Sequence, residues 1–339
     1  MSLRVGLDIG GTKTHGVLIA ADGTILAEHL APTVAGPDGI VKGAVDAVAA
    51  LRAASRDDDG ASSDSRDLAP SSATGAPAVP RADVPVGVGI GVPGVVDPAT
   101  GSVRYAINLG LGAEPFPLAD RVAAGLRAEG LLATADGAEP LVLVENNLNA
   151  SALGARAILD LGDDLAFIAL GTGIAVGLVL DGRLRRGPRG LAGEVGHLPI
   201  NPEGLECPCG QRGCLDLYAS GSGLARQYPY EGTDPIAAVV FRAADRGDEH
   251  AVVVRDQLLD GVAEAVQLLV LTLDVGAVVL GGGIARLGAP LLDGVRSRLE
   301  RRERSSAFLA AAGLSERVRL APADVPVGAV GAALALGDL

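Results

Sequence analysis

One histidine and three cysteines lie close together in the sequence, in a pattern that could bind a metal ion. The histidine is His197, and Cys207, Cys209 and Cys214 follow it; the chain has no other cysteine. Zinc is commonly bound by four thiolate and imidazole ligands in a tetrahedral arrangement, which this set supplies. Two other interpretations stay open, namely unrelated small core residues and a disulfide with one spare thiol. We predict a zinc site formed by these four residues.

Three glycine-rich turns, each at the end of a predicted strand, could together bind a nucleotide. The turns consist of Gly10, Gly11, Thr12 and Lys13, of Gly171, Thr172 and Gly173, and of Gly281, Gly282 and Gly283. Backbone N–H groups in the first two turns suit phosphate oxygens, and the third lets a flat adenine ring approach the backbone closely. Asp8, beside the first turn, could hold hydrated magnesium. A single such motif is usually only a turn, but the three turns with this carboxylate predict a site for ATP and Mg²⁺.

Composition and charge limit the classes of protein to which the chain can belong. The 339 residues are 48% apolar but include few aromatic ones, and no apolar run approaches the ~18 residues that a membrane span requires. The first apolar stretch, Leu3 to Ile9, lacks the pattern of a secretory signal, so we expect a cytoplasmic protein. The formal net charge of -13 disfavours nucleic acid as a general partner, because phosphates would be repelled by most of the surface.

The spacing of apolar residues predicts a mixture of strands and helices. Predicted strands cover residues 3–9, 16–19, 85–90, 141–144 and 277–280, with two more beside the second glycine turn, one after the turn at Asp22-Gly23 and a hairpin around Asp97 to Val103. Predicted helices cover 38–54, 118–128, 149–159 and 327–336, and the spacing of Val262, Val266, Leu269 and Val270 predicts another that packs on a core. Residues 55–83 are mainly Asp, Ser, Ala and Pro, which bury too little apolar surface to offset the entropy of ordering. We predict a flexible surface insertion there.

Several motifs together resemble the ROK family (repressors, open reading frames and kinases). They are the segment from Asp8 to Lys13, the Gly171–Gly173 loop, Glu194 to His197, and the cysteine segment that ends at Asp216. The resemblance covers nearly the whole chain. It implies an α/β protein of two domains with the actin-like, ribonuclease-H-like fold of sugar kinases, with ATP and a sugar in the cleft between them. It also implies a homodimer and a structural zinc next to the sugar. We place the first domain at residues 1–115 with 325–339 and the second at residues 116–324.

The resemblance also implies which residues contact the sugar. In the family pattern, Glu194 and His197 bind sugar hydroxyls, and the other imidazole nitrogen of His197 binds zinc, which fixes the tautomer. Asn108 and Asn146 match the sugar-contacting asparagines of the family. The carboxylate after the last cysteine is usually glutamate, but here it is Asp216, which is one methylene shorter. This difference leaves the identity of the sugar open.

Asn147 is the main departure from the family pattern. Kinases of the family have aspartate at this position, and that carboxylate takes the proton from the attacking sugar hydroxyl. An amide can orient a hydroxyl but has no basic site near neutral pH, so we expect catalysis to be reduced or lost. Glu145 is the nearest alternative base in the sequence.

Two functions of different classes are compatible with these residues. The first is an ATP-dependent sugar kinase of the glucokinase or N-acetylhexosamine kinase type, which the phosphate-binding turns favour. The second is the sugar-sensing effector domain of a ROK transcriptional regulator without kinase activity, which Asn147 favours. Family repressors carry an N-terminal helix-turn-helix, and nothing before Leu3 could form one. Nucleic acid is therefore expected as a partner only if such a domain is missing from this chain.

Overall fold

The computed structural model describes residues 3–57, 87–131 and 141–337. The chain divides into two compact units, of which the first comprises Met1–Gly154 with Pro326–Leu339 and the second Ala155–Val325. The predicted insertion at 55–83 lies outside the described residues except for 55–57, which end the first helix. Within the described ranges, no helix is both long enough and apolar enough to span a membrane.

Both units contain strands and helices in alternation. The first unit contains β1 (Arg4–Ile9), β2 (Lys13–Ile19), β3 (Ile25–Pro32), α1 (Pro37–Asp57), β4 (Gly87–Val92), β5 (Val95–Asp97), β6 (Ser102–Arg104), α2 (Leu118–Ala128), β7 (Leu141–Asn146) and most of α3 (Asn147–Ile158). The second unit contains β8 (Leu165–Leu170), β9 (Ile174–Leu180), β10 (Arg183–Leu184), α4 (Gly221–Gln227), α5 (Ile236–Asp245), α6 (Glu249–Leu273), β11 (Ala277–Gly281), α7 (Ala289–Ser305), α8 (Ala307–Ala312) and β12 (Val318–Leu320). The chain then returns to the first unit with α9 (Val327–Ala335).

A mixed sheet forms the centre of the first unit. Its order among the described strands is β3-β2-β1-β4-β7, in which β1, β4 and β7 are parallel and β2 is antiparallel to both of its neighbours. The register aligns Asp8 with Gly91, and Gly91 with Glu145. Because parallel strands have their carboxyl ends at one edge, Asp8 and the start of α3 lie at the same edge of the sheet.

Helix α9 packs directly on this sheet because small residues line both surfaces. A Cβ atom at Gly6 would lie 1.9 Å from the carbonyl oxygen of Ala329, and one at Gly89 would lie 1.7 Å from that of Ala332. Both distances are far below van der Waals contact, so only glycine lets the helix approach this closely. This packing places the N-terminus of α9 beside the end of β1.

The second unit is built around another mixed sheet. Its order among the described strands is β10-β9-β8-β11-β12, in which β8, β11 and β12 are parallel. Helices α5, α6 and α7 share one apolar core with this sheet, and Val262 and Val266 of α6 are fully buried, as their spacing predicts. Arg298 and Arg302 of α7 form ion pairs with acidic residues of α6, which joins the two helices at the surface.

The division of the chain differs from the predicted boundary after residue 115. Strand β7 pairs with β4 along its whole length, so residues 116–154 group with the first unit. Helix α3 begins earlier than predicted, at Asn147, because the side chain of Asn146 caps it. Strand β3 follows the predicted turn at Asp22-Gly23, whereas β10 and β12 have no counterpart among the predicted strands, since such short edge strands lack a clear apolar alternation.

Candidate functional site

The four predicted metal ligands lie together in the second unit. One ligand atom from each of His197, Cys207, Cys209 and Cys214 lies within 4.8 Å of the others. The Sγ atoms of Cys209 and Cys214 are 3.6 Å apart, and Cys207 Sγ is 4.0 Å from His197 Nδ1. A disulfide would require sulfur atoms about 2.05 Å apart, and all three cysteines are free.

These distances fit a tetrahedral zinc site. Two Zn–S bonds of about 2.3 Å at the tetrahedral angle place their sulfur atoms about 3.8 Å apart, close to the observed separation of Cys209 and Cys214. His197 and Cys209 are exposed, which does not fit the interpretation of unrelated core residues. Because Nδ1 of His197 faces the sulfur atoms, its Nε2 is directed away from them and can bind a second partner.

Glycines shape the loop that carries the cysteines. Gly210 and Gly213 have left-handed backbones, with φ of 91° and 65°. A Cβ atom at Gly213 would lie 1.6 Å from the carbonyl oxygen of Asn201, so no other residue fits there. The N–H of Cys207 donates to the carbonyl of Gln211 at 2.8 Å, which closes the turn between the cysteines. The backbone therefore brings the three sulfur atoms together.

Two of the cysteines differ in their affinity for protons. Hydrogen bonds, first of all from the backbone N–H of Gln211, lower the pKa of Cys209 to about 6. Burial raises the pKa of Cys214 to about 12. Cys214 therefore needs a nearby cation to become a thiolate at neutral pH, and metal binding would release its proton.

Glu194 and His197 lie on one short loop that is held against strand β9. Gly193 has a φ of 93°, and a Cβ atom there would lie 1.8 Å from the carbonyl oxygen of Val176. The N–H of His197 donates to the carbonyl of Glu194 at 3.2 Å within a single helical turn. Both side chains are exposed, so the loop can present a carboxylate and an imidazole to a ligand rich in hydroxyl groups.

Asp216 connects the cysteine loop with the second glycine turn. Its Oδ1 accepts a hydrogen bond from the N–H of Ile174 at 2.9 Å, and a Cβ atom at Gly173 would lie 3.1 Å from the same oxygen. The carbonyl of Gly171 accepts a hydrogen bond from the backbone N–H at the start of α4 at 2.8 Å. The resemblance implies that Asp216 contacts the sugar. In the structure, one of its two carboxylate oxygens already accepts a hydrogen bond from Ile174, the first residue of β9.

The third glycine turn lies beside the second because β11 pairs with β8. A Cβ atom at Gly281 would lie 2.1 Å from the ring of Phe167, and one at Gly282, which has a φ of 88°, would lie 2.6 Å from the carbonyl oxygen of Leu170. A Cβ atom at Gly283 would meet no atom of the described residues within 4 Å. Packing therefore requires glycine at positions 281 and 282. At Gly283 the backbone is open, so a flat ring could approach it.

The first glycine turn, in the first unit, contacts Asn108. The N–H of Gly10 donates to the carbonyl of Lys13 at 3.0 Å, which closes the turn. A Cβ atom at Gly11 would lie 2.9 Å from the Cβ atom of Asn108, which is itself exposed. The structure therefore brings together the predicted phosphate-binding turn and one of the predicted sugar-binding residues.

Asp8 is half-buried at the end of β1, beside Gly328 at the N-terminus of α9. Burial raises the pKa of Asp8 to about 6, although the nearby His15 and Lys13 act in the opposite direction. The ionised carboxylate is thus poorly solvated and would gain from a divalent cation. Its surroundings suit the predicted magnesium ligand.

Asn146 links the end of β7 to the start of α3. Its Nδ2 donates to the carbonyl of Gly94 at 3.0 Å, and its Oδ1 accepts from the N–H of Leu148 at 2.9 Å. Both ends of the amide thus bind backbone, whereas the resemblance implies a sugar contact. Asn147 is the first residue of α3 and is half-buried, and its side chain offers an amide at the position of the family base.

Glu145 is buried beneath the start of α3, with 1% of its surface exposed. Its Oε1 accepts hydrogen bonds from the N–H of Asn146 at 2.9 Å and from Nδ2 of Asn149 at 2.8 Å. A general base must come within hydrogen-bond reach of the proton that it takes. Glu145 instead holds the start of α3 together and is not accessible as a replacement for the missing aspartate.

Two residues outside the sequence predictions also contact the candidate sites. Gln211 donates a side-chain hydrogen bond to the carbonyl of His197 at 3.0 Å. Its position between the second and third cysteines is a signal that could have identified it. Gly328 lies against Asp8, and only the packing of α9 on the sheet reveals this contact.

Comparison with known proteins identifies one family and several relatives. The sequence model of the ROK family matches residues 77–336 of this chain. A glucokinase from Halalkalibacterium halodurans is 33% identical over 234 residues, which cover 63% of this chain and 66% of that protein. The structure of a ROK hexokinase from Thermus thermophilus is similar with a TM-score of 0.72 and 27% identity, over 99% of this chain and 100% of that one.

A second solved structure is that of a ROK family glucokinase from Streptomyces griseus in complex with glucose and AMPPNP. It is similar to this chain with a TM-score of 0.67 and 30% identity, over 98% of this chain and 99% of that one. These similarities confirm the predicted α/β fold of the actin-like class.

Proposed function

The chain belongs to the ROK family, and from this premise we propose that it is a sugar kinase-like protein with slow turnover. It would bind ATP with Mg²⁺ and transfer the γ-phosphoryl group to a hexose or an N-acetylhexosamine. The observation that carries the proposal is the combination of three glycine turns, of which the third leaves Gly283 open, with an amide, Asn147, at the first position of α3. The similarity to glucokinases supports the class of substrate.

The nucleotide would be held by backbone groups of the three glycine turns. The turn at 10–13 and the turn at 171–173 offer N–H groups to phosphate oxygens, and Gly283 offers open backbone to the adenine. Asp8 would hold Mg²⁺, which, when bound, neutralises charge on the phosphates. The half-buried position and raised pKa of Asp8 support this role, because a carboxylate with few water contacts gains most from a cation.

The sugar would be bound by exposed polar side chains. Glu194, His197 and Asn108 would bind hydroxyl groups, and Asp216 would hold the start of β9. His197, Cys207, Cys209 and Cys214 would bind zinc, which, when bound, fixes the tautomer of His197 and the shape of its loop.

The missing carboxylate limits the rate of the transfer. A bond forms between the sugar hydroxyl oxygen and the γ-phosphorus, the bond from that phosphorus to the bridging oxygen of ADP breaks, and the hydroxyl proton must leave. The amide of Asn147 can orient the hydroxyl but does not accept its proton, which would have to pass to water. Positioning and electrostatic stabilisation by the glycine turns would remain, and phosphoryl transfer depends heavily on both.

A sugar sensor without kinase activity is the second candidate, favoured by Asn147 together with the engaged Glu145. Both candidates require sugar binding, and only the first requires ADP release that depends on the sugar. A homodimer is expected from the family resemblance for either candidate, and light scattering of the purified protein would test it.

The discriminating experiment is a coupled ADP-release assay over a panel of hexoses and N-acetylhexosamines, with calorimetry on the same panel. ADP release that depends on one sugar supports the kinase. Sugar binding without ADP release, in both the wild type and Asn147→Asp, supports the sensor. The absence of a calorimetric response to every hexose, amino sugar and sugar phosphate would contradict both.

A further inference from the structure

We propose that Gln211 is a positioning residue that couples the cysteine cluster to the orientation of His197. Its side-chain amide would bind the carbonyl of His197 and the thiolate of Cys209 at the same time. Binding of metal would then fix the backbone of the residue that also contacts the sugar. The part of this inference that concerns sugar rests on the proposed function, whereas the part that concerns metal retention does not.

The geometry of one nitrogen atom carries the inference. Nε2 of Gln211 lies 3.0 Å from the carbonyl oxygen of His197, 3.6 Å from Cys209 Sγ and 4.0 Å from Cys214 Sγ. A glutamine amide has two N–H donors, so one can bind the carbonyl while the other binds sulfur. Hydrogen bonds to charged acceptors are stronger than those between neutral groups, so the contact with sulfur strengthens when the cysteine is a thiolate.

A second contact shows why a donor is needed at this point. Cys214 Sγ lies 3.7 Å from the carbonyl oxygen of His197. When zinc holds Cys214 as a thiolate, this sulfur has no proton to donate and faces the negative end of the carbonyl dipole. The N–H groups of the Gln211 amide place partial positive charge beside both atoms, which offsets their repulsion.

The backbone of Gln211 adds to the same connection. Its carbonyl accepts the N–H of Cys207 at 2.8 Å, so one residue binds the backbone of one ligand, the sulfur of another and the carbonyl of His197. Partners of metal ligands of this kind contribute roughly 10–100-fold to metal affinity. Gln211 is exposed and competes with water, so we expect an effect near tenfold, at the lower end of that range.

Arg212 provides a matched control on the same turn. It is exposed like Gln211, but its guanidinium pairs with Glu206 at 3.0 Å and donates to the carbonyl of Gly204 at 3.3 Å. Arg212→Ala therefore disturbs the surface of the loop without removing a donor from sulfur.

The test measures zinc release from the purified holoprotein to a chromogenic chelator. Gln211→Ala should release zinc about tenfold faster than the wild type, and Arg212→Ala at the wild-type rate. Gln211→Glu keeps the shape but replaces the donor with an ionised acceptor, so it should release zinc at least as fast as Gln211→Ala. A role that depends only on the shape of the side chain predicts instead that Gln211→Glu retains zinc like the wild type.

Two further measurements separate positioning from loss of folding. Circular dichroism of the zinc-saturated variants should match the wild type. In Co²⁺-substituted protein, the sulfur-to-cobalt charge-transfer band should shift in both Gln211 variants and not in Arg212→Ala. Sugar affinity should fall in the Gln211 variants while ATP affinity stays unchanged.

The outcomes distinguish this inference from the proposed function. Wild-type release rates and an unshifted cobalt band in both Gln211 variants would overturn it, as would a wild-type protein that holds no zinc. Faster zinc release in a protein that binds no sugar would contradict the proposed function while supporting the role of Gln211 in metal retention.

Discussion

Gly328 leaves the space that the side chain of Asp8 occupies. A Cβ atom at Gly328 would lie 2.6 Å from Oδ2 of Asp8 and 2.9 Å from its Cγ. The sheet of the first unit and its C-terminal helix thus meet at the predicted magnesium ligand. The C-terminal helix would therefore contribute to the proposed nucleotide site through Gly328, a residue that has no side chain.

Gly328→Ala should displace the Asp8 carboxylate and weaken binding of ATP with Mg²⁺. The inserted methyl group also overpacks the contact between α9 and β1, which should lower the free energy of unfolding by about 1–3 kcal/mol. Gly43→Ala is the matched helical control, because a Cβ atom at Gly43 would meet no atom of the described residues within 4 Å. Urea unfolding and calorimetry with ATP would check both effects. Unchanged ATP affinity in Gly328→Ala would contradict the role assigned to Asp8.

Asp8 should make the nucleotide-free protein less stable as the pH rises. Its pKa is raised from 3.8 to about 6 in the folded state. The protonated carboxyl therefore adds to the free energy of unfolding below pH 3.8, and this added stability is lost as the pH rises through about 6. Asp8→Asn should remove this cost and raise the free energy of unfolding at pH 7.5 by roughly 1–3 kcal/mol. The same variant should bind ATP with Mg²⁺ more weakly. The measurement is urea unfolding of the wild type and of Asp8→Asn at pH 4 and pH 7.5. If the two proteins differed in free energy of unfolding by the same amount at both pH values, the assignment would be contradicted.

The cysteine cluster should hold about one zinc ion per chain, bound by His197 and the three cysteines. Because the ligands must be deprotonated, zinc should be lost as the pH falls, with a loss of thermal stability and of sugar affinity. Cys209→Ser and Cys214→Ser should each lower the zinc content measured by elemental analysis. Zinc content that stays the same in Cys209→Ser would exclude this ligand set.

Glu194→Ala should weaken sugar binding by about 1–3 kcal/mol, roughly 5- to 150-fold in Kd, because a hydroxyl group loses a charged acceptor. ATP affinity should not change. Glu203→Ala, an exposed acidic residue of the same stretch, is the control for general loss of charge. Calorimetry with the sugar identified in the panel would test this prediction, and equal effects of the two substitutions would count against a specific role for Glu194.

Local sequence patterns predicted the regular elements more completely than they predicted the contacts between them. Helix α2 has the predicted bounds because its apolar residues follow the helical period. Edge strand β12 lacks such a pattern because it is only 3 residues long. Gly281 was predicted to lie against adenine, but the ring of Phe167 fills the space beside its Cα, and the sequence gives no sign of that neighbour.

In the candidate sites, too, residues close in the sequence could be predicted, whereas contacts between distant residues could not. The candidate metal ligands could be predicted because all four lie in one short segment whose spacing is typical of zinc sites. The engagement of Asn146 with Gly94 and of Asp216 with Ile174 joins residues that are distant in the sequence. Side-chain chemistry alone gives both residues the capacity to bind sugar, and only the fold shows that backbone groups already occupy part of that capacity.

The central claim is that Asn147 limits an otherwise complete kinase site, and Asn147→Asp tests it most directly. General-base catalysis typically contributes about 10²–10⁴ in rate. We expect the wild type to turn over slowly in the coupled ADP-release assay, and Asn147→Asp to raise kcat by about that factor with little change in the Kd of the sugar. Asn147→Ala should stay as slow as the wild type. A wild-type enzyme that already turns over at ordinary kinase rates of roughly 1–100 s⁻¹, or an Asn147→Asp variant that binds both substrates without faster turnover, would contradict the claim.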